Sequence, residues 1–183
     1  MATLLPQFLA LKTPEQLEAV NQELQHQILE RQHAEQILQN IVMATSSVTG
    51  EEFFPALVEN LGKALDVSYV FVCEIVEDSF NLKTLAIWGE GKIRDNIEFN
   101  FLNTPFKTVI NTRKLSYYPD NLKEYFPQCY FFGNNKAQCY LGVPLLDENR
   151  QAIGTLCVIN NQLLVNEENA MVMVQVFAER ATS

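Results

Sequence analysis

The stretch CYLGVPLLDENRQAIGTLCVIN, residues 139–160, decides the architecture. Residues 139–146 and 152–160 are rich in β-branched and large apolar side chains, which suit a buried pleated surface. Residues 147–151, DENRQ, join them at hairpin length, so the two runs are expected to pair antiparallel. Upstream, VSYVFVCEIV at 67–76 has the same β-branched and aromatic character. LKTLAIW at 82–88, IEFNFL at 97–102 and LSYY at 115–118 read as three further strands. Between the last two, Thr104 is placed to cap a short helix that Pro105 opens.

Helices flank this block. EEFFPALVENLGKALD, residues 51–66, repeats Phe53, Phe54, Leu57, Val58, Leu61 and Leu65 at three- and four-residue steps, the stripe of an amphipathic helix. NEENAMVMVQVFAERATS, at the end of the sequence, reads as a helix capped by Asn166. Strands and helices do not alternate regularly. The expectation is therefore α+β, an antiparallel sheet with helices on one face, and not a doubly wound parallel sheet.

Residues 14–42 contain no Gly and no Pro after Pro14, and are dense in Gln, Glu, Leu and Ala. A long helix is expected there, with Thr13 at its start. Leu17, Val20, Leu24, Ile28, Leu38 and Ile41 are its apolar positions. The steps 17, 20 and 24 follow a heptad seam, and Ile28 joins it after a shift of phase. These six residues are the candidate dimer interface. The Ser/Thr/Gly-rich segment 45–50 ends the helix and gives two domains, a coupling helix at 1–44 and a globular domain at 45–183.

Composition narrows the function. The 183 residues are 48% hydrophobic, enough for a true core, and carry a net charge of −9. Such a surface repels phosphate backbones, and its densest basic feature is the pair Arg113-Lys114, so nucleic acid is not an expected partner. No apolar run reaches a membrane span, and the opening residues lack the basic and apolar regions of a secretory signal. The cysteines, at 73, 129, 139 and 157, form no C-x-x-C pair. A reduced, cytoplasmic protein is expected.

Neither a P-loop nor a G-x-G-x-x-G motif is present. Both histidines, His26 and His33, fall in the leading helix, which leaves the rest of the chain without a Ser-His-Asp or Cys-His nucleophile. No catalytic constellation or metal site is indicated. Cys73 and Cys157 lie mid-strand as small hydrophobes. Cys129 and Cys139 flank a loop, either as a redox pair or as a pocket wall and a strand start. Aromatic residues crowd the middle third and could line an apolar pocket or fill the core under a loop. The candidate ligand-binding set is Phe99, Phe101, Tyr118, Tyr125, Phe126, Cys129, Phe131 and Cys139.

The hairpin 139–160, together with the helix-to-strand run 51–75, NFLNTPFKTVI, YFP and VFAERA, resembles the GAF domain family of signalling modules over roughly residues 45–181. ELQHQILERQHAEQIL resembles the signalling helices preceding GAF modules in bacterial, cyanobacterial-type sensor histidine kinases. The resemblance implies a six-stranded antiparallel sheet, a parallel homodimer built by helices on one face, and a small-molecule pocket on the other. It implies a sensory and dimerising module of a two-component sensor, with its kinase or other output domain outside this sequence. It names no cofactor. Cyclic-nucleotide-binding members are matched by Asn135-Lys136 and Asp147-Glu148 but not by the Phe expected between them. Bilin-binding members place a cysteine near the position of Cys129, commonly followed by a histidine where Tyr130 stands. Free methionine sulfoxide reductases carry a cysteine where this chain reads FLNTPF. A thiol redox enzyme and a bilin photosensor are the alternatives. The loop at 125–138 is the expected moving part.

Overall fold

The computed structural model describes residues 13–46, 52–129 and 136–182, and only the backbone of residue 30 and of 33–46. The chain divides into two compact units between residues 39 and 40.

The first unit carries most of helix α1 (Pro14–Ser46), which runs four residues beyond the expected end. Thr13 and Gln16 close a capping box: the Gln16 N–H donates to Thr13 Oγ1 at 3.3 Å, and the Thr13 N–H to Gln16 Oε1 at 3.0 Å. Every side chain from 13 to 29 is exposed.

The second unit holds α2 (Phe53–Leu65), β1 (Tyr69–Ile75), β2 (Asn81–Gly89), β3 (Lys92–Arg94), β4 (Glu98–Asn100), α3 (Pro105–Thr112), β5 (Ser116–Tyr118), α4 (Leu122–Tyr125), β6 (Cys139–Leu146), β7 (Ala152–Asn160) and α5 (Glu167–Ala181). The strands form one sheet in the order β3-β2-β1-β7-β6-β5, with β4 also paired to β2 and every pairing antiparallel. The expected hairpin is β6–β7, in register from Cys139 opposite Asn160 to Leu145 opposite Gly154, with an irregularity before Leu146 opposite Ala152. Asp147 shapes its turn, its Oδ1 accepting the N–H groups of Asn149 and Gln151.

Two local expectations are corrected. The strand expected at 97–102 is the short β4, and a further strand, β3, that the sequence reading did not place brings the sheet to seven. A turn at Glu90 and Gly91, both at positive φ, folds β3 onto residues 87–89, while β4 pairs with 81–83. Thr104 stands at the N-cap of α3, yet its hydroxyl donates to the Phe101 carbonyl at 2.8 Å and caps nothing. Asn166 does cap α5, accepting the Asn169 N–H at 3.0 Å.

Alternation gives the sheet two unlike faces. Val70, Val72, Trp88, Leu141, Val143, Leu156 and Val158 are buried on the face covered by α2 and α5. The helix α2 comes very close there, for a Cβ on Gly62 would stand 2.1 Å from Trp88 Cδ1. Tyr69, Phe71, Cys73, Ile87, Tyr140, Cys157 and Ile159 face the other way, under α3 and α4.

Candidate functional site

The second face is an aromatic platform. Phe106, from the first turn of α3, is its hub: its ring meets Phe99 at 5.1 Å, Tyr140 at 5.4 Å and Phe71 at 6.3 Å, all edge-to-face. Tyr118 extends the array from β5, 6.3 Å from Tyr140 and 5.2 Å from Phe126. The hydroxyls of Tyr118 and Thr108 are hydrogen-bonded at 3.2 Å. β-Pairing and helix position, not sequence proximity, assemble the set.

The candidate residues are therefore partly gathered. Phe99, Phe101, Tyr118 and Phe126 join this cluster. Tyr125 stands at its outer rim, 61% exposed, with its ring 5.4 Å from Tyr118. Phe131 lies outside the described residues, as do Tyr130 and Phe132. Cys129 is half-buried on the aromatic face, in the neighbourhood of Tyr140 and Cys157. Cys139 is buried on the opposite face, since it precedes Tyr140 on β6, and its Sγ lies 3.3 Å from the Gln162 carbonyl, to which it donates. The sheet thus separates Cys129 from Cys139, and the redox pairing weighed in the sequence is not formed. All four cysteines are free thiols.

Sequence reasoning missed Phe71, Tyr140 and Thr155. Each lies inside a strand that is apolar on both faces, so only the register could assign its side. Tyr140 is the most informative. Its ring is fully buried and leans along its own strand, so a Cβ on Gly142 would stand 2.3 Å from its oxygen. That oxygen has no hydrogen-bond partner. Cys73, Cys129, Cys157 and Thr155 are its polar surroundings, and the Thr155 hydroxyl donates to the Val143 carbonyl at 2.9 Å, which leaves the Thr155 oxygen and the Cys157 thiol as the nearest groups toward which the Tyr140 hydroxyl can turn.

The platform is electrically neutral. Burial raises the Cys73 and Cys157 thiols and the Tyr140 phenol well above their ordinary values. It pushes Cys129 up to about 12. On the other face burial pushes Cys139 up to about 11, with the Glu167 charge adding and the backbone N–H groups of Asn160 and Leu164 opposing. No charged side chain is buried among the described residues. Nor do three or more His, Cys, Asp or Glu side chains among them converge as a metal would require.

The loop carrying Cys129 is fixed at both ends. The Leu122 N–H donates to the Gln138 carbonyl at 3.1 Å, and the Gln138 N–H to the Asn160 carbonyl at 2.8 Å. Asn160 Oδ1 in turn accepts from the backbone N–H and hydroxyl of Ser68. A change on the platform is thereby linked to the ends of β1 and β7.

A seven-stranded antiparallel sheet with long helices on one face and an aromatic platform under short helices on the other defines a sensory-module fold. The profile of the GAF domain family matches residues 49–183, and the chain belongs to that family. No curated protein matches the sequence. Among solved structures, the GAF domain of an Acinetobacter phosphoenolpyruvate-protein phosphotransferase is similar at a TM-score of 0.65 and 18% identity, over 78% of this chain and 86% of that one. The free methionine-R-sulfoxide reductase of Neisseria meningitidis, in complex with its substrate, gives 0.65 and 14%, over 80% and 84%. The chromophore-binding domain of Stigmatella aurantiaca bacteriophytochrome gives 0.63 and 8%, over 82% and 59%. At these identities the likeness is one of fold.

Proposed function

We propose that this chain is a regulatory GAF module that senses through its aromatic face and acts as a parallel homodimer joined along α1, without catalysing a reaction itself. The observation that carries this reading is the Tyr140 hydroxyl, a buried donor left unpartnered on an uncharged platform of rings and thiols. With the packing over the fully buried Tyr140 opened, such a face holds an apolar molecule and fixes it by one hydrogen bond, but it offers no group to move a proton at neutral pH. A ligand favouring one packing of the platform over another would shift the loop, the sheet and then the long helices.

The dimer rests on α1. Leu17, Val20, Leu24 and Ile28 recur at steps of three, four and four, and Leu17 is 55% exposed. Leu29, off that stripe, is 64% exposed. A lone helix gains nothing by exposing this row, whereas a second copy of the chain buries it. Leu38 and Ile41, the other two candidate positions, have side chains outside the described residues. The output is a histidine kinase or other module beyond this sequence, in a cytoplasmic two-component sensor. No helix among the described residues is long and apolar enough to cross a membrane, which agrees with that placement.

Both competing readings, a thiol redox enzyme of the free methionine sulfoxide reductase type and a bilin photosensor, require Cys129 to react. A thiol raised to about 12 is almost wholly protonated at neutral pH and a poor nucleophile. Sedimentation velocity tests the dimer. The native chain is expected to sediment as a dimer at micromolar concentration, and Leu17→Asp/Leu24→Asp as a monomer with an unchanged near-UV spectrum. A monomeric native chain, or a double variant that still pairs, refutes the role of α1.

A further inference from the structure

A second concavity lies on the α5 side of the sheet, away from the aromatic platform. Arg113 ends α3 in the left-handed region, at φ 55°, and turns the chain so that residues 113–115 run beside β6. β5 pairs with β6 only at 140–142, so residues 143–146 face this turn without a strand between them. The last two turns of α5 form the opposite wall. The result is a groove of about 480 Å³, within the size range of small-molecule sites.

Its chemistry is two-sided. Leu115, Val143, Pro144 and Ala178 make an apolar floor. Arg113 and Lys114 stand at one end, exposed, and neither lies within ion-pair distance of a carboxylate among the described residues. In a chain of net charge −9, two adjacent cations beside an apolar floor are complementary to an anionic head on an apolar body. Glu179 also lines the groove. Pro144, with no N–H to donate, disfavours an added peptide strand on this edge.

We propose that this groove binds a small amphiphilic monoanion, a carboxylate on an apolar body of roughly six to ten carbons, with the carboxylate at Arg113 and Lys114. The ligand bridges the sheet edge and the end of α5 through Gln175 and Ala178. It is independent of whatever the aromatic face takes.

Calorimetric titration of the whole chain with octanoate, and with octan-1-ol as its uncharged counterpart, tests this at low ionic strength. Octanoate is expected to bind one per chain, at least about tenfold more tightly than octanol. Arg113→Gln/Lys114→Gln removes that tenfold difference, while Lys107→Gln/Lys123→Gln, which deletes the same charge elsewhere on the surface, retains it. Gln175→Glu, an exposed change that keeps α5 intact, weakens octanoate several-fold and serves if the first variant does not fold. No heat from octanoate up to about 10 mM, equal binding of octanol, or a folded variant at 113/114 or at 175 that binds octanoate like the native chain overturns the proposal.

Discussion

The two faces of the sheet bury comparable numbers of side chains by unlike means. The face under α2 and α5 is mainly aliphatic, with Trp88 and Tyr117 on the sheet and Phe177 on α5, and backbone and ring meet closely at Gly62. The face under α3 and α4 is built from edge-to-face rings, thiols and hydroxyls, with one hydroxyl unsatisfied. Aliphatic packing is non-directional and suits a surface that transmits strain, although two unpartnered buried polar atoms, the Tyr117 hydroxyl and Arg180 Nε, also lie on that side. Rings and hydroxyls set direction, so an unsatisfied one marks where recognition can occur. On the proposed reading, the interior divides into a structural half and a recognising half along the plane of the sheet.

The largest effect is expected at the hub of the recognising half. Phe106→Ala removes a fully buried ring with three aromatic neighbours and is expected to cost about 3–5 kcal/mol in urea unfolding. Tyr125→Ala, at the exposed rim, is expected to stay within about 0.5 kcal/mol. Equal costs would mean the platform has no hub.

Gly62→Ala tests the structural half. In an ordinary helix this change stabilises by about 1 kcal/mol. Here the new methyl collides with Trp88, and a loss of about 1–3 kcal/mol is expected instead. Trp88, the chain's single tryptophan, reports the displacement by its fluorescence.

Titration sharpens the contrast. All four thiols have folded-state values raised by burial, so each stays protonated in the native protein after it would ionise in the unfolded chain. The native state then binds more protons, and stability falls as pH rises. The loss should begin near pH 9, with Cys139 contributing up to about pH 11 and Cys129 up to about pH 12. Melting temperatures across this window, for the native chain and for Cys73→Ala, check it. The variant should show the shallower decline.

The smallest effect discriminates most finely. Tyr140→Phe deletes an orphan hydroxyl and should stabilise the ligand-free protein by about 1 kcal/mol. Tyr118→Phe deletes the bond to Thr108 and should destabilise it by about the same amount. A loss in both would show that Tyr140 has a partner in solution.

Much of this division can be read from residues alone. The β6–β7 hairpin is legible because both strands are short apolar runs and Asp147 supplies turn chemistry between them. α5 is legible from Asn166, and α1 from its unbroken run of helix formers. Phe99, Tyr118 and Phe126 stand out as aromatic, but gathering them requires a register in which β4, β5 and the segment after α4 reach one face. Tyr140 and Cys139 differ by one position and end on opposite faces, which no periodicity decides when neighbours on both sides are apolar. The Thr104 hydroxyl could cap or turn back, and only the path from Phe101 chooses.

Native mass spectrometry of the full chain purified from its own host tests the central claim most directly. The account predicts a dimer of the 20.9 kDa chain that carries a small molecule, released on unfolding and held less well by Tyr140→Phe. A bare monomer, or a bound species indifferent to Tyr140, would contradict it.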